Sequence, residues 1–226
     1  MRLKGLFLSD IRFQAKYGFY FLYAFLTVIY IAVLLALPET WREKAAVILI
    51  FSDPAAMGLF FMGAIVLLEK SQHTPCALAV SPVRAGEYLT AKVGSLTVIS
   101  LAVAAVLALA AGVGNLHIVL PGTVLSSAVF SLLGMLVATK ITSLNQFILW
   151  TIPIETACFV PAVLHLFGVT PAWFRHYPAN VCMDMISGRI PSAAGLLAAA
   201  AVTAVLLLYS RNCVLKMWDS AGGSKI

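Results

Sequence analysis

Two carboxylates fall inside apolar runs of this chain, and both are candidates for chemistry. Glu155 sits near the middle of the run 147–167, flanked by Pro153 and Pro161. If that run crosses a bilayer, an ionised carboxylate there costs roughly 2.5–3.5 kcal/mol. The apolar runs hold no Lys or Arg away from their ends. Glu155 is therefore protonated, hydrogen-bonded to a neighbour, or turned toward a polar pathway. Proline donates nothing to a helix ladder, so carbonyls near Leu149 and Ala157 lose their partners. A kink beside an acid suits cargo contact or gating by Glu155 and Pro153. It suits equally an interhelical hydrogen bond that braces the bundle. Asp53 precedes Pro54, a helix-start signal. It caps a break in the run 47–68 or joins the same pathway.

Other chemistries find no support in the spacing. Cys76, Cys158, Cys182 and Cys213 show no Cys-x-x-Cys pattern, and His165 and His176 lack a third ligand, so no metal site or disulfide framework is expected. Neither His-Glu-x-x-His nor Gly-x-Ser-x-Gly occurs, which leaves an intramembrane enzyme the weakest reading and no catalytic residue to assign. The phosphate-holding run Gly-x-x-x-x-Gly-Lys-Ser/Thr is missing too. Energy from ATP would have to arrive through another chain.

Composition sets the stage for these residues. The 226 residues are 62% hydrophobic and 11% charged, against about a quarter charged in soluble domains, and the mean hydropathy is +0.98. The apolar runs reach the roughly 20 residues that cross a 30 Å hydrocarbon core. The expected fold is an all-α polytopic membrane protein with six transmembrane helices, at 17–37, 47–68, 93–113, 118–138, 147–167 and 191–209. Residues 1–16 read as an amphipathic interfacial helix, with Leu3, Leu6, Phe7 and Ile11 on one arc and Arg2, Ser9, Arg12 and Lys16 opposite. Asp10 breaks that arc. Residues 17–209 form the membrane domain, 168–190 an outer segment rich in interfacial aromatics, and 210–226 a tail.

The formal net charge is +6, but the cations gather near span ends rather than in one stripe, which argues against nucleic-acid binding. Eleven of the fifteen Lys and Arg fall on the side of the N-terminus, the loop 69–92 and the C-terminus. The positive-inside rule puts both termini and that loop in the cytoplasm.

The loop 69–92 is the most informative stretch. Thr74-Pro75 starts a helix and Pro82 disfavours one at Ser81, so a short helix spans 75–80. With Cys76, Ala77, Leu78, Ala79 and Val80 it is too apolar to be left in water. It folds back on the membrane surface or fills a partner's groove.

Glu69, Thr74, Leu78, Ser81-Pro82, Glu87-Tyr88-Leu89 and Lys92 resemble the pattern between the second and third spans of type-2 ABC transporter permeases, especially short drug-export permeases of the fluoroquinolone-exporter kind. Tyr17-Gly18-Phe19-Tyr20 and Phe51-Ser52-Asp53-Pro54 extend the similarity. The departure is at Gln72-His73, where many members carry acidic residues or Gly. The resemblance implies that the loop is a coupling helix docking on ABC ATPase subunits. The docking residues would be Glu69, Thr74, Pro75, Cys76, Leu78, Val80, Ser81, Pro82, Arg84, Glu87 and Tyr88. It implies a connecting helix at the N-terminus, a second permease copy or a related chain, and ATP and Mg on the partner ATPase, with no cofactor here. The expected setting is a prokaryotic cytoplasmic membrane, in contact with its lipids. The expected function is export of a hydrophobic or amphiphilic small molecule. A proton-coupled carrier using Glu155 is the rival, distinguished by transport without an ATPase.

Overall fold

A computed structural model describes residues 2–53 and 58–222, and it is helical almost throughout. The amphipathic stretch forms α1 (Arg2–Lys16), followed by α2 (Phe19–Ala36). Pro38 then opens α3 (Glu39–Ser52), and α4 (Leu59–Ser71) leads to the short α5 (Thr74–Ala79). Three long helices follow: α6 (Ala85–Ala111), α7 (Leu116–Lys140) and α8 (Leu144–Leu166). A 3-10 turn, Ala172–His176, precedes α9 (Pro178–Ile186), and α10 (Ala193–Gly222) closes the fold. The chain is an all-α polytopic membrane protein.

Among the described residues, α2, α6, α7, α8 and α10 are long and apolar enough to cross a membrane. The expected second span, 47–68, falls on α3 and α4. Asp53 and Gly58, which flank residues 54–57, both have right-handed helical backbone angles, and the expected break at Ser52-Asp53-Pro54 reaches outside the described residues. The chain passes from the α9 end of the bundle, where α3 packs, to the α5 end, where α4 delivers it.

Burial sorts the long helices into core and periphery. Half of the apolar window of α6 and 61% of that of α7 is buried, against 11% for α2 and 17% for α8 and α10. The centre of α7 is built from small side chains: Ser126, Ser127, Ser131 and Gly134 are all buried. A Cβ on Gly134 would lie 2.4 Å from the Leu59 carbonyl oxygen of α4. The small-residue stripe in this span thus lets two backbones meet, as expected for close packing in a membrane.

Two helices outrun their sequence boundaries. Helix α6 begins at Ala85, eight residues before the expected span, and its added turns carry Lys92, which is paired inside the protein. The stretch 210–226, read as a tail, is helical through Gly222. Val214, Met217 and Trp218 form one buried face there, at the three- and four-residue spacing that a helix needs to pack.

Candidate coupling site

The turn between α4 and α5 places His73 at φ 56°, in the left-handed region. That conformation favours glycine over residues that carry a Cβ. Thr74 is the first residue of α5 rather than its cap; His73 takes the cap position, one residue earlier than expected. Pro75 is buried, while Ala77, Ala79 and Val80 face outward, with Val80 86% exposed. Leu78 turns the other way. With Arg84 it shares a cleft with Arg211, Leu215 and Trp218 of α10.

Several motif residues hold this loop in shape. The Ser81 hydroxyl donates to the Leu78 carbonyl at 2.8 Å and accepts from the Val83 amide at 3.3 Å, closing the turn after α5. Pro82 is exposed. Glu87 stands at the third position of α6 and accepts from the Arg84 amide at 3.0 Å, capping the helix start. Cys76 is half-buried.

Glu69 and Tyr88, on α4 and α6, converge with two residues outside the expected docking set. Lys92 lies one turn after Tyr88 on the same face of α6. Its ammonium is 2.6 Å from Glu69 Oε1 and 3.0 Å from Asp10 Oδ1, and Tyr88 donates its hydroxyl to the other Glu69 oxygen. Asp10 is the residue that broke the apolar arc of α1. The break is the signature of an inward charge: one cation ties α1, α4 and α6 together. Gln14, one turn further, donates to Ser95 Oγ at 2.8 Å and repeats the tie.

A single ammonium serving two carboxylates leaves the cluster short of one positive charge. Burial pushes the Asp10 carboxyl above its usual range, the Lys92 charge and hydrogen bond oppose the shift, and the Glu69 charge adds to it. Burial thus works against the ionised form of Asp10. Charge-assisted hydrogen bonds in low dielectric are strong, but the desolvation they require makes the cluster a device for fixed geometry more than for net stability.

Lys70, the next residue of α4, points elsewhere. Its ammonium donates to the carbonyls of Ala138, Thr139 and Ile141 at 2.7, 2.9 and 2.8 Å. A helix end carries unpaired carbonyls and a partial negative charge, so Lys70 caps the end of α7. The last turn of α4, immediately before α5, is therefore joined through adjacent residues to α1, α6 and α7.

The pathway candidates lie elsewhere. Glu155 is half-exposed on α8 and Pro153 is exposed; no side chain among the described residues is seen to hydrogen-bond Glu155. The carbonyl of Ala157, expected to be freed by Pro161, accepts from the Tyr177 hydroxyl at 3.2 Å. Burial pushes that hydroxyl up to about 12, which keeps it a donor. Asp53 is 2% exposed and follows the end of α3, where its side chain caps no helix amide. At the far end, His165 bridges Thr170 Oγ1 at 2.8 Å and Asp184 Oδ2 at 3.2 Å, so it ties α8 to α9.

Residues 2–222 match the model of the fluoroquinolones export permease protein family. Two relatives in Mycobacterium tuberculosis, from strains CDC 1551 / Oshkosh and ATCC 25618 / H37Rv, are fluoroquinolones export permease proteins. Each is 32% identical over 164 residues, which is 72% of this chain and 69% of theirs. The match runs nearly end to end and takes in α1, the α5 loop and all five long helices, so this chain belongs to the fluoroquinolones export permease family.

Proposed function

We propose that this permease is the transmembrane subunit of an ATP-driven ABC exporter, and that α5 is its docking element for a separate ATPase subunit. The observation that carries the reading is the linkage around α5. Its outward residues, Ala77, Ala79 and Val80, are apolar and unsupported by the rest of the chain. The turn before it is locked to three helices by Glu69 and Lys70. An apolar knob with a stiff mount suits the transmission of a partner's movement.

In this reading ATP and Mg belong to the ATPase, and two permease subunits, identical or related, complete the transporter. ATPase closure moves α5, and α4, α1, α6 and α7 follow as one unit. The cargo is a hydrophobic or amphiphilic small molecule, of which the fluoroquinolones named for the relatives are the model. The α5 end and both termini face the cytoplasm across a prokaryotic inner membrane. Cysteine labelling of intact cells tests that orientation: positions in 69–92 should be shielded and positions in 173–189 reactive from outside.

Val80→Asp tests docking. Val80 is exposed, so the fold should tolerate the charge, whereas a dry interface should not. The ATPase is expected to be lost from the purified complex, with membrane insertion and thermal stability retained. Undiminished recovery of the ATPase with this variant would refute docking through α5. Leu78→Asp is a poorer probe, because Leu78 packs against the chain's own α10 cluster.

A further inference from the structure

The C-terminal end of α7 carries cations that docking does not use. Lys140 is the last residue of α7 and is exposed. Its ammonium lies 5.5 Å from the centre of the Tyr209 ring of α10 and 3.5 Å from the Tyr209 hydroxyl oxygen. Tyr209, Asn212 and Lys216 follow one another on α10 at three- and four-residue spacing and share a face. Among the described residues the ion pairs take Lys92 and His165 as their cations, so neither Lys140 nor Lys216 is spent on a carboxylate. Glu155 and Asp219, the acids of α8 and α10, line neither cleft beside Lys140; Asp219 lines another, with Arg211. The partial negative charge of a helix end would oppose an anion here. Lys70 covers it, giving its three protons to the carbonyls of Ala138, Thr139 and Ile141.

Two clefts of opposite character meet at Lys140 and Tyr209. One, of about 480 Å³, lies between α7, α8 and α10 and is walled by apolar side chains such as Leu136, Val137 and Ile154. That volume is within the roughly 300–1,000 Å³ of ligand sites. The other, of about 280 Å³, is polar, with Thr139, Asn212, Lys216 and Ser220 in its wall. Helices α8 and α10 are on the periphery of the bundle, so the apolar cleft opens toward acyl chains. Trp150 and Tyr209 line it and are exposed, as aromatic side chains at the headgroup level of a membrane are.

We propose that the two clefts form one site for an anionic phospholipid, with an acyl chain in the apolar cleft and the phosphate between Lys140 and Lys216. The inference needs only the membrane-spanning fold and stands apart from the export reading. Basic pockets between membrane helices suit anionic headgroups, and a hydrogen bond from an ammonium to a phosphate oxygen is of the strong, charge-assisted kind. The Tyr209 hydroxyl accepts from Lys140 and keeps its own proton to donate to the phosphate. A zwitterionic lipid brings its own cation to the lysines and gains the apolar cleft alone.

The test uses the full-length chain, purified in detergent and stripped of lipid, without nucleotide or partner. Native mass spectrometry compares phosphatidylglycerol with phosphatidylcholine of the same acyl chains. Phosphatidylglycerol should bind at least fivefold more tightly, and Lys140→Gln combined with Lys216→Gln should bring the ratio near one. Leu136→Trp, which fills the apolar cleft, should weaken both lipids alike. Lys4→Gln combined with Arg12→Gln removes two exposed cations of α1 and should leave the ratio unchanged. On the unaltered chain, phosphatidylglycerol with a photoreactive diazirine in its acyl chain should label the peptides around Leu136 and Trp150, and glycerol phosphate should not displace it. A ratio near one in the unaltered chain overturns the proposal, as does a ratio that survives loss of Lys140 and Lys216 or falls equally with the α1 pair. Labelling confined to other peptides overturns it too, and displacement by glycerol phosphate would make the lysines a site for free phosphate instead. A dimer that shields the Leu136 and Trp150 peptides with or without phosphatidylglycerol would put a second copy in the cleft and refute the lipid site.

Discussion

Lys92→Met should destabilise the folded chain by about 3–5 kcal/mol, the cost of removing one partner from a buried ionic cluster. The ammonium is 2% exposed, and its loss leaves Glu69 and Asp10 facing each other without a cation. Three elements would then separate or take up protons. Methionine matches the length of the stem, so the loss reads charge rather than volume. Unfolding by titration with sodium dodecyl sulfate in mixed micelles, followed by circular dichroism, measures the change. Lys92→Met combined with Glu69→Gln should recover more than half of it, because the acid made costly by the first substitution is neutralised by the second. Asp10→Asn alone should cost less than about 1 kcal/mol: its carboxyl is already pushed toward the protonated form, and Asn can still accept from Lys92. A Lys92→Met chain as stable as the original would show that the cluster is solvated and couples nothing.

Gly134→Ala should be the most damaging addition of one methyl group in the bundle. The new carbon would sit 2.4 Å from the Leu59 carbonyl oxygen and 3.2 Å from the Leu59 Cα. Backbone cannot rotate away as a side chain can, so α4 and α7 must separate. Overpacking of this kind costs about 1–3 kcal/mol. Gly63→Ala provides the contrast, since the three atoms nearest its Cβ all belong to the Phe147 ring, the first at 1.9 Å. Gly63→Ala should be rescued by Phe147→Leu, and Gly134→Ala by no side-chain trimming. Gly86→Ala meets nothing within 4 Å and should be neutral or mildly stabilising. The same titration ranks the three, and a harmless Gly134→Ala would refute direct backbone contact between α4 and α7. Because α4 carries the mount of α5, the variant should also weaken any coupling that depends on that mount.

Much of the architecture was legible because bilayer physics is local. A run of about twenty apolar residues satisfies its own backbone only as helix, and no distant residue has to be known to say so. The short helix after Thr74-Pro75 and the carbonyl freed by Pro161 were legible for the same reason, since each depends on neighbours within one or two turns.

Side-chain partners obeyed a different rule. Asp10 was visible as a flaw in an amphipathic arc, Glu69 and Lys92 as members of a loop pattern, and the stretch after Tyr209 as a tail. Nothing in their spacing said that Asp10 lies 3.0 Å from Lys92, eighty-two residues on, or that Trp218 stacks edge-on with Tyr88 at 5.5 Å. The sequence by itself determined which segments are helical, which prefer lipid, and where the chain turns, because hydrophobic length and proline or glycine chemistry act through adjacent residues. Only the tertiary structure decided that one lysine joins α1, α4 and α6, that Lys70, beside Glu69, caps α7, and that the Asp53 carboxylate finds no hydrogen-bond donor among the described residues. Those outcomes depend on the rotation and register of packed helices, which many residues far apart in the chain set together and no single stretch encodes.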